Sequence, residues 1–312
     1  MSTALKWIGG ALAALLLVLC AAGLWLWLSL SSIEVEQLSD DLYVLRGAQS
    51  GNVALLATGK GSVVVDSMIS ARQGGLIAAK ALQLTGEPVR WVINTHYHLD
   101  HSYGNAGFEG GVRFLASERT AHWMQTFSSD YWSGDNADKK PAGEPASLTR
   151  LQLGRHSLQL IHSLPAHTDG DWAVYFENEQ VLHTGDLFFN QHYPNIDLEA
   201  GGSIRQWSSA IDQLLALDFK RVIPGHGATT DRQGLEQFQT FMEELWLLGE
   251  TAAKTDQSLK EAQINGWLQA DQGYEELGIP LVFRLDRDFV IQQAWREANR
   301  YYKGNKNLDR PE

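Results

Sequence analysis

Between Asn94 and His101 the chain reads Asn94-Thr95-His96-Tyr97-His98-Leu99-Asp100-His101, with three imidazoles and one carboxylate inside six positions. Imidazole and carboxylate are the donors that hold zinc, iron or manganese. The apolar run Val89–Ile93 leads into them and reads as a β-strand. Residues two apart on an extended chain point the same way, so His96 and His98 can reach one metal ion together. If the chain then turns, Asp100 and His101 face a second ion close by. The sequence holds only 10 histidines in 312 residues. Three of them clustered beside an aspartate point to metal binding or catalysis rather than to a chance polar loop.

Three further signals lie downstream, each at the end of a β-type run. They are Leu164-Pro165-Ala166-His167-Thr168-Asp169-Gly170-Asp171, Val181-Leu182-His183-Thr184-Gly185-Asp186 and Val222-Ile223-Pro224-Gly225-His226-Gly227. An isolated loop histidine or a Gly-Asp turn means little alone. Together with His96–His101 they fall where strands hand over to loops, the usual location of site residues.

The elements that must position them alternate in a simple way. Short strands are expected at Ile33–Gln37, Leu42–Arg46, Val53–Thr58 and Ser62–Val65, with turn residues between them. A helix over Ala71–Leu84, the strand Val89–Ile93, a strand at Val112–Ala116 and a helix from Glu118 to about Phe127 follow. The polar stretch Ser128–Ala146 reads as a long loop, and loops of that length are commonly mobile or functional. The second half repeats the theme. It has strands at Ser147–Leu153, Ser157–Ser163, Trp172–Phe176, Gln180–His183 and Arg221–Ile223, and helices over Ser203–Leu217, Asp231–Gly249, Ser258–Gln269 and Arg287–Tyr302. Two such halves suggest an α/β protein with two sheets face to face and helices outside, a four-layer αβ/βα sandwich.

With 37 acidic and 25 basic residues the formal charge is -12. An acidic surface repels phosphate backbones, so nucleic acid is excluded as a partner and a small molecule is the expected substrate. Cys20 is the single cysteine, which excludes a disulfide framework, a cysteine-rich zinc site and a cysteine nucleophile in the body of the chain. Trp7–Leu30 is a run of 24 residues without a charge. As a helix rising about 1.5 Å per residue it would extend roughly 36 Å, enough for a bilayer core of about 30 Å. Lys6 precedes it and Glu34, Glu36, Asp40 and Asp41 follow, which favours a cytoplasmic N-terminus and an exported, periplasmic or extracytoplasmic body. A cleaved signal peptide is the rival, although its apolar region usually has only about 7–15 residues. The expected organisation is an N-terminal transmembrane anchor or signal segment over 1–30, one large domain carrying the donor motifs over 31–302, and a charged tail over 303–312.

The ordered motifs resemble the metallo-β-lactamase-fold hydrolases, which carry H-x-H-x-D-H followed by a His, an Asp and a His at loop ends. The resemblance runs from roughly Glu34 to Arg296 and is specific for the superfamily while nearly silent on substrate. It implies a metal site on one edge of the sandwich. Position by position, it implies that His96, His98 and His167 bind one ion, that Asp100, His101 and His226 bind a second, and that Asp186 bridges them. Asp66, ending the run Val63–Val65, matches a position near the site, as support for the loop or as a turn cap. Two zinc ions roughly 3.5–4 Å apart can share a water and generate hydroxide near neutral pH, with Asp100 hydrogen-bonding the nucleophile as the catalytic carboxylate. Iron or manganese would fit the same donors.

Departures from known branches narrow the activity. Asp186 stands where some β-lactamases of this fold carry cysteine, and Leu187, Phe188, Phe189 and Asn190 follow with no lysine to grip a β-lactam carboxylate. The expected reaction is hydrolysis of an ester, thioester, lactone or amide. β-Lactamase activity proper and iron-dependent oxidoreduction are the alternatives. Trp132, Tyr193 and Phe188, with Tyr131, Phe189 and His192, could line an aromatic pocket or simply pack the core. His122, His156, His162 and His183 are read as structural or solvent-facing.

Overall fold

A computed structural model describes residues 15–23, 32–279 and 283–304. Six strands form the first sheet in sequential order: β1 (Ile33–Gln37), β2 (Leu42–Gly47), β3 (Val53–Leu56), β4 (Ser62–Val65), β5 (Val89–Ile93) and β6 (Arg113–Leu115). The second sheet is ordered β11 (Arg221–Ile223), β10 (Val181–His183), β9 (Trp172–Phe176), β8 (His156–His162), β7 (Arg150–Leu153). The helices are α1 (Ala71–Thr85), α2 (Leu99–Ser102), α3 (Glu118–Ser128), α4 (Ile204–Leu215), α5 (Arg232–Lys254), α6 (Leu259–Asn265) and α7 (Arg287–Lys303).

Side-chain alternation explains the layers. On β2, β3 and β4 the residues Leu42, Val44, Ala54, Leu56, Val63 and Val65 share one buried cluster with Leu158, Trp172, Val174, Phe176 and Ile223 of the other sheet. Their neighbours Tyr43, Leu45, Val53, Leu55 and Val64 turn the other way, onto Ile77 and Ala81 of α1. The far face of the second sheet, through Ala173, Tyr175, Leu182 and Val222, packs on α4, α5 and α7. Strands buried on both faces are apolar at consecutive positions rather than alternately, as these are. The four-layer αβ/βα expectation therefore holds for the described residues.

Strand direction decides where a site can lie. β4, β5 and β6 are parallel, as are β10 and β11, and parallel neighbours need crossover helices. Their C-terminal ends consequently leave the sheets on one edge. There the two sheets meet: Trp172 donates its backbone N–H to Thr95 O at 2.8 Å, and Asn52 donates to Gly225 O at 2.8 Å.

Several boundaries differ from expectation for local reasons. The helix foreseen to stop at Gly249 continues to Lys254, because Gly249 is where α5 crosses α7: a Cβ there would lie 2.5 Å from Ala294 O. The helix foreseen to Gln269 stops at Asn265, before Gly266. The strand foreseen from Ser147 begins at Arg150. The 128–146 stretch is not a free loop. It carries a 3-10 turn at Gly134–Lys139 and is pinned by Tyr131 stacking on Tyr103 and by Asn105 Nδ2 donating to Lys139 O at 3.1 Å. A small antiparallel strand pair, β12 (Leu277–Ile279) with β13 (Phe283–Leu285), was not anticipated; three-residue strands are too short to show a period.

Residues 15–23 are helical and exposed. The rest of the Trp7–Leu30 segment and most of the 303–312 tail lie outside the described residues. Among the described residues no helix is long and apolar enough to cross a membrane.

Candidate metal centre

The chain leaves β5 through Asn94, bends over Thr95, His96 and Tyr97, and enters the single-turn helix α2, with His98 at its N-cap. That turn separates the donors as their spacing suggests. His96, His98, His167 and Asp186 form one group whose donor atoms lie within 4.8 Å of one another, and Asp100, His101 and His226 form another. Asp186 stands between them in the turn after β10. Its Oδ2 is 3.7 Å from His96 Nε2 and 3.6 Å from His167 Nε2. Its Oδ1 is 3.0 Å from His101 Nε2 and 3.5 Å from His226 Nε2. Asp100 Oδ2 lies 3.3 Å from His226 Nε2 and 3.5 Å from His101 Nε2.

Such close approach requires glycine at two points. A Cβ on Gly225 would sit 2.0 Å from Asp186 Oδ1, and one on Gly51 would sit 2.1 Å from the His101 ring. Any side chain at either position would displace the carboxylate or the imidazole.

Four imidazoles are held by an outer partner, and this fixes which nitrogen turns inward. His101 Nδ1 meets Asp66 Oδ2 at 2.8 Å. His167 Nδ1 meets Asn195 O at 2.9 Å. His98 Nε2 meets Asp197 Oδ2 at 3.1 Å. His96 Nδ1 meets Thr95 Oγ1 at 3.0 Å, and that hydroxyl donates to Asp66 Oδ2 at 2.8 Å. Each outer acceptor assigns a proton to the nitrogen it touches, so the opposite nitrogen presents a lone pair to the centre. The consequence is a convergence of acceptors. His98 Nδ1 and His167 Nε2 face each other at 2.8 Å, and His101 Nε2 and His226 Nε2 at 3.3 Å. His96 Nε2 is buried with no hydrogen-bond partner. Lone pairs and carboxylates brought together this closely repel unless a cation lies among them, so the donor set fits one or more metal ions.

The electrostatics divide the two donor groups, with neutral His96 and His167 in the first and proton-holding His101 and His226, facing carboxylates, in the second. Burial and the neighbouring His101 hold His96 well below the ordinary imidazole range, against the pull of Asp186. Burial likewise holds His167 down to about 4. Both are therefore neutral and free to donate. On the other side burial disfavours the charged forms of His101 and His226, yet nearby carboxylates outweigh it. Asp186, Asp100 and Asp66 hold His101 well above its usual value, and Asp186 and Asp100 raise His226 to about 9. Burial opposes ionisation of Asp100 and Asp186 too, but the facing histidines keep both well below the carboxylate range.

All seven residues expected as donors thus meet at one edge, and Asp66 supports them through Thr95 and His101. The expected aromatic pocket residues do not. Phe188 is fully buried behind the second sheet with its ring on Phe238, because the turn after β10 directs it to the helix layer. Tyr193 is buried against Phe241 and Tyr274, its hydroxyl donating to Asp271 Oδ2 at 3.0 Å. Trp132 is buried edge-on to Tyr103 and Tyr131. These three pack the interior rather than lining an entrance, and His192 lies against Asn190 O and near Glu275. The aromatic surface beside the centre comes instead from Tyr97, whose ring lies 5.5 Å from Phe127, with Trp123 stacked beyond at 5.2 Å. Asp197 was also unforeseen. It accepts from His98 and from the Tyr97 hydroxyl, and nothing local in Asn195-Ile196-Asp197-Leu198 signals a role that depends on a partner 99 residues away. His162 and His183 are structural, as expected: His162 Nδ1 accepts from Trp172 Nε1 at 3.0 Å, and His183 bridges Asn52 O and Gly185 N.

The profile of the Metallo-beta-lactamase superfamily matches residues 46–226, more than half of the chain. Metallo-beta-lactamase type 2 of Bacillus cereus is 26% identical over 210 residues, covering 64% of this chain and 79% of that protein. The 2,4-dinitroanisole O-demethylase subunit alpha of Nocardioides sp. (strain JS1661) is 31% identical over 153 residues, and the match spans only 44% of that subunit and 48% of this chain. Hydroxyacylglutathione hydrolase of Anaeromyxobacter dehalogenans (strain 2CP-C) is 33% identical over 136 residues, 43% of this chain and 45% of its own length. Among solved structures, a metallo-beta-lactamase from Pontibacter korlensis superposes with a TM-score of 0.59 at 21% identity, over 68% of this chain and 99% of that one, a likeness of fold. With the ordered donors brought to one edge of an αβ/βα sandwich, these matches establish that the chain belongs to the metallo-beta-lactamase superfamily.

Proposed function

We propose that this protein is a dinuclear metal-dependent hydrolase acting on an ester, thioester, lactone or amide. The observation that carries this reading is Asp186, one buried carboxylate whose two oxygens face two separate donor groups. His96, His98 and His167 would hold one ion, Asp100, His101 and His226 the other, and Asp186 both. When bound, such ions would supply Lewis acidity, lowering the pKa of the attacking water and polarising the substrate carbonyl.

The chain's own part is orientation and proton control. Asp66, Thr95, Asn195 and Asp197 fix ring tautomers, so no side chain must reorganise as charge develops. Asp100 is held ionised and is partly open to solvent, so it can accept a hydrogen bond from the attacking water and orient it. Tyr97 and Phe127 offer an apolar surface beside His98 for the acyl or leaving portion of a substrate.

Zinc is the proposed metal, since an all His/Asp donor set suits it, with iron or manganese compatible. Metal quantification on purified protein followed by a panel of lactones, thioesters, β-lactams and phosphodiesters tests the reading. About two zinc ions at this centre with turnover of a carbonyl substrate is the expected result. About one iron per chain with zinc absent, or turnover of phosphodiesters alone, would overturn it. We also propose that the apolar run Trp7–Leu30 tethers the enzyme to a membrane with the catalytic body exported. The uncharged length of that run supports the proposal, and recovery of the full-length chain in a salt-washed membrane fraction tests it.

A further inference from the structure

At the edge of the sandwich opposite the catalytic centre lies a second convergence of donors. β2, β4 and β10 all begin at that edge. Leu42 pairs with Leu56, Leu56 with Val63, and Val181 with Phe176. Three turns meet there. Asp41 precedes β2 on the first sheet, while His156 opens β8 and Glu179 lies between β9 and β10 on the second. Gly154, in the β7–β8 turn, has left-handed backbone and approaches so closely that a Cβ would lie 2.2 Å from Thr58 O of the other sheet.

We propose that Asp41, His156 and Glu179 bind a divalent transition-metal ion that clips the two sheets together at this end. One ligand atom from each residue lies within 4.8 Å of the others. His156 Nδ1 is 2.8 Å from Glu179 Oε1, and its Nε2 is 3.4 Å from Asp41 Oδ2. The imidazole is 1% exposed and the Glu179 side chain 6% exposed. Despite these short approaches, neither ring nitrogen of His156 makes a hydrogen bond of acceptable geometry, and Glu179 Oε2 is buried with no hydrogen-bond partner. Buried polar atoms are normally satisfied. Orphaned buried atoms of the same kinds, His96 Nε2 and Asp186 Oδ1, occur in the centre of seven donors. Asp41 is partly exposed and also meets the exposed Arg155, so the site has an opening to solvent.

One nitrogen and two carboxylates are a donor set for zinc or manganese. Calcium takes six to eight oxygen ligands and has no use for a buried imidazole. An imidazole ligates an ion through one nitrogen, so His156, Asp41 and Glu179 would each give one ligand atom, which leaves a fourth position for water. An ion there would belong to neither donor group of the catalytic centre.

The test uses the full chain, stripped with chelator, re-equilibrated with zinc by dialysis and assayed for metal per chain. Wild type is expected to retain one zinc more than either Glu179→Gln or Asp41→Asn. Both variants are near-isosteric, so folding, checked by circular dichroism, is retained where His156→Ala would leave a cavity. A zinc-dependent rise in the thermal midpoint should shrink in the same two variants. Parallel dialysis with calcium should give no added ion. Equal zinc content in wild type and both variants overturns the proposal and leaves the cluster as an ionic bridge between sheets. Calcium retained in place of zinc overturns the assigned class of ion.

Discussion

The two ends of the sandwich bring together the same residue types by different means. At the edge with seven donors, six leave the C-terminal ends of β5, β10 and β11, which have parallel neighbours, and His167 follows the antiparallel β8; the chain there has room to turn and add an outer layer of partners. Asp66, Thr95, Asn195 and Asp197 each take one imidazole nitrogen and so aim the other. At the opposite edge the donors hang from tight connections between neighbouring strands, and His156 turns both nitrogens toward carboxylates with no outer partner. A centre that must activate water needs its lone pairs aimed before substrate arrives. A clip between sheets needs only donors within reach. The difference lies in the outer layer.

Removing Asp186, the carboxylate that faces both donor groups, should break the comparison most severely. Asp186→Ala is expected to abolish hydrolysis and lower metal content at that edge, a loss well beyond the roughly 10–100-fold typical of outer partners. Unchanged turnover in a metal-verified sample would refute the dinuclear assignment.

The next largest effect concerns stability rather than chemistry. Phe188→Ala should destabilise the fold by about 3–5 kcal/mol, the usual cost of truncating a buried phenylalanine. Because the ring faces Phe238 rather than the centre, denaturant midpoints should fall while KM stays level. A KM change without a stability change would return Phe188 to the substrate pocket.

Deleting an outer partner sharpens the contrast between the ends. Asp197→Ala leaves every donor in place but frees the His98 ring, so metal affinity or turnover should drop about 10–100-fold. A variant equal to wild type in both would mean that aiming His98 contributes nothing.

The smallest effect is a pH slope in the metal-stripped protein. Asp186 and Asp100 raise His226 to about 9 against burial, above its ordinary 6.5. A folded value above the unfolded one means the stabilisation is complete below about pH 6.5 and is lost as pH rises through about 9. Denaturant midpoints should decline over that window, and His226→Gln should flatten the decline. A level profile in the stripped wild type would show that His226 carries no such charge.

Much of the architecture was legible beforehand because the signals were local. β1, β4, β5, β9 and β11 begin and end where apolar runs and turn residues put them. Spacing divided His96 and His98 from Asp100 and His101 as the structure does, although the chain bends over Thr95, His96 and Tyr97 rather than running on extended. Length misled where a residue type had two meanings. Gly249 reads as a helix stop, yet it is a contact point between α5 and α7. Aromatics at 188 and 193 read as a pocket because composition does not say which side of a loop faces the core.

What the sequence determined by itself is the chemistry of the donors, their order along the chain and their position at strand ends. Those follow from residue type and short-range periodicity. Only the tertiary structure decided which nitrogen each histidine presents, that Asp197 orients His98, and that Tyr97 and Phe127 rather than Trp132 and Tyr193 flank the centre. The structure alone also joined Asp41, His156 and Glu179, which come from separate turns of two sheets. The physical reason is the same in each case. Outer partners and cross-sheet neighbours are set by packing between distant segments, and no local pattern of residues encodes that distance.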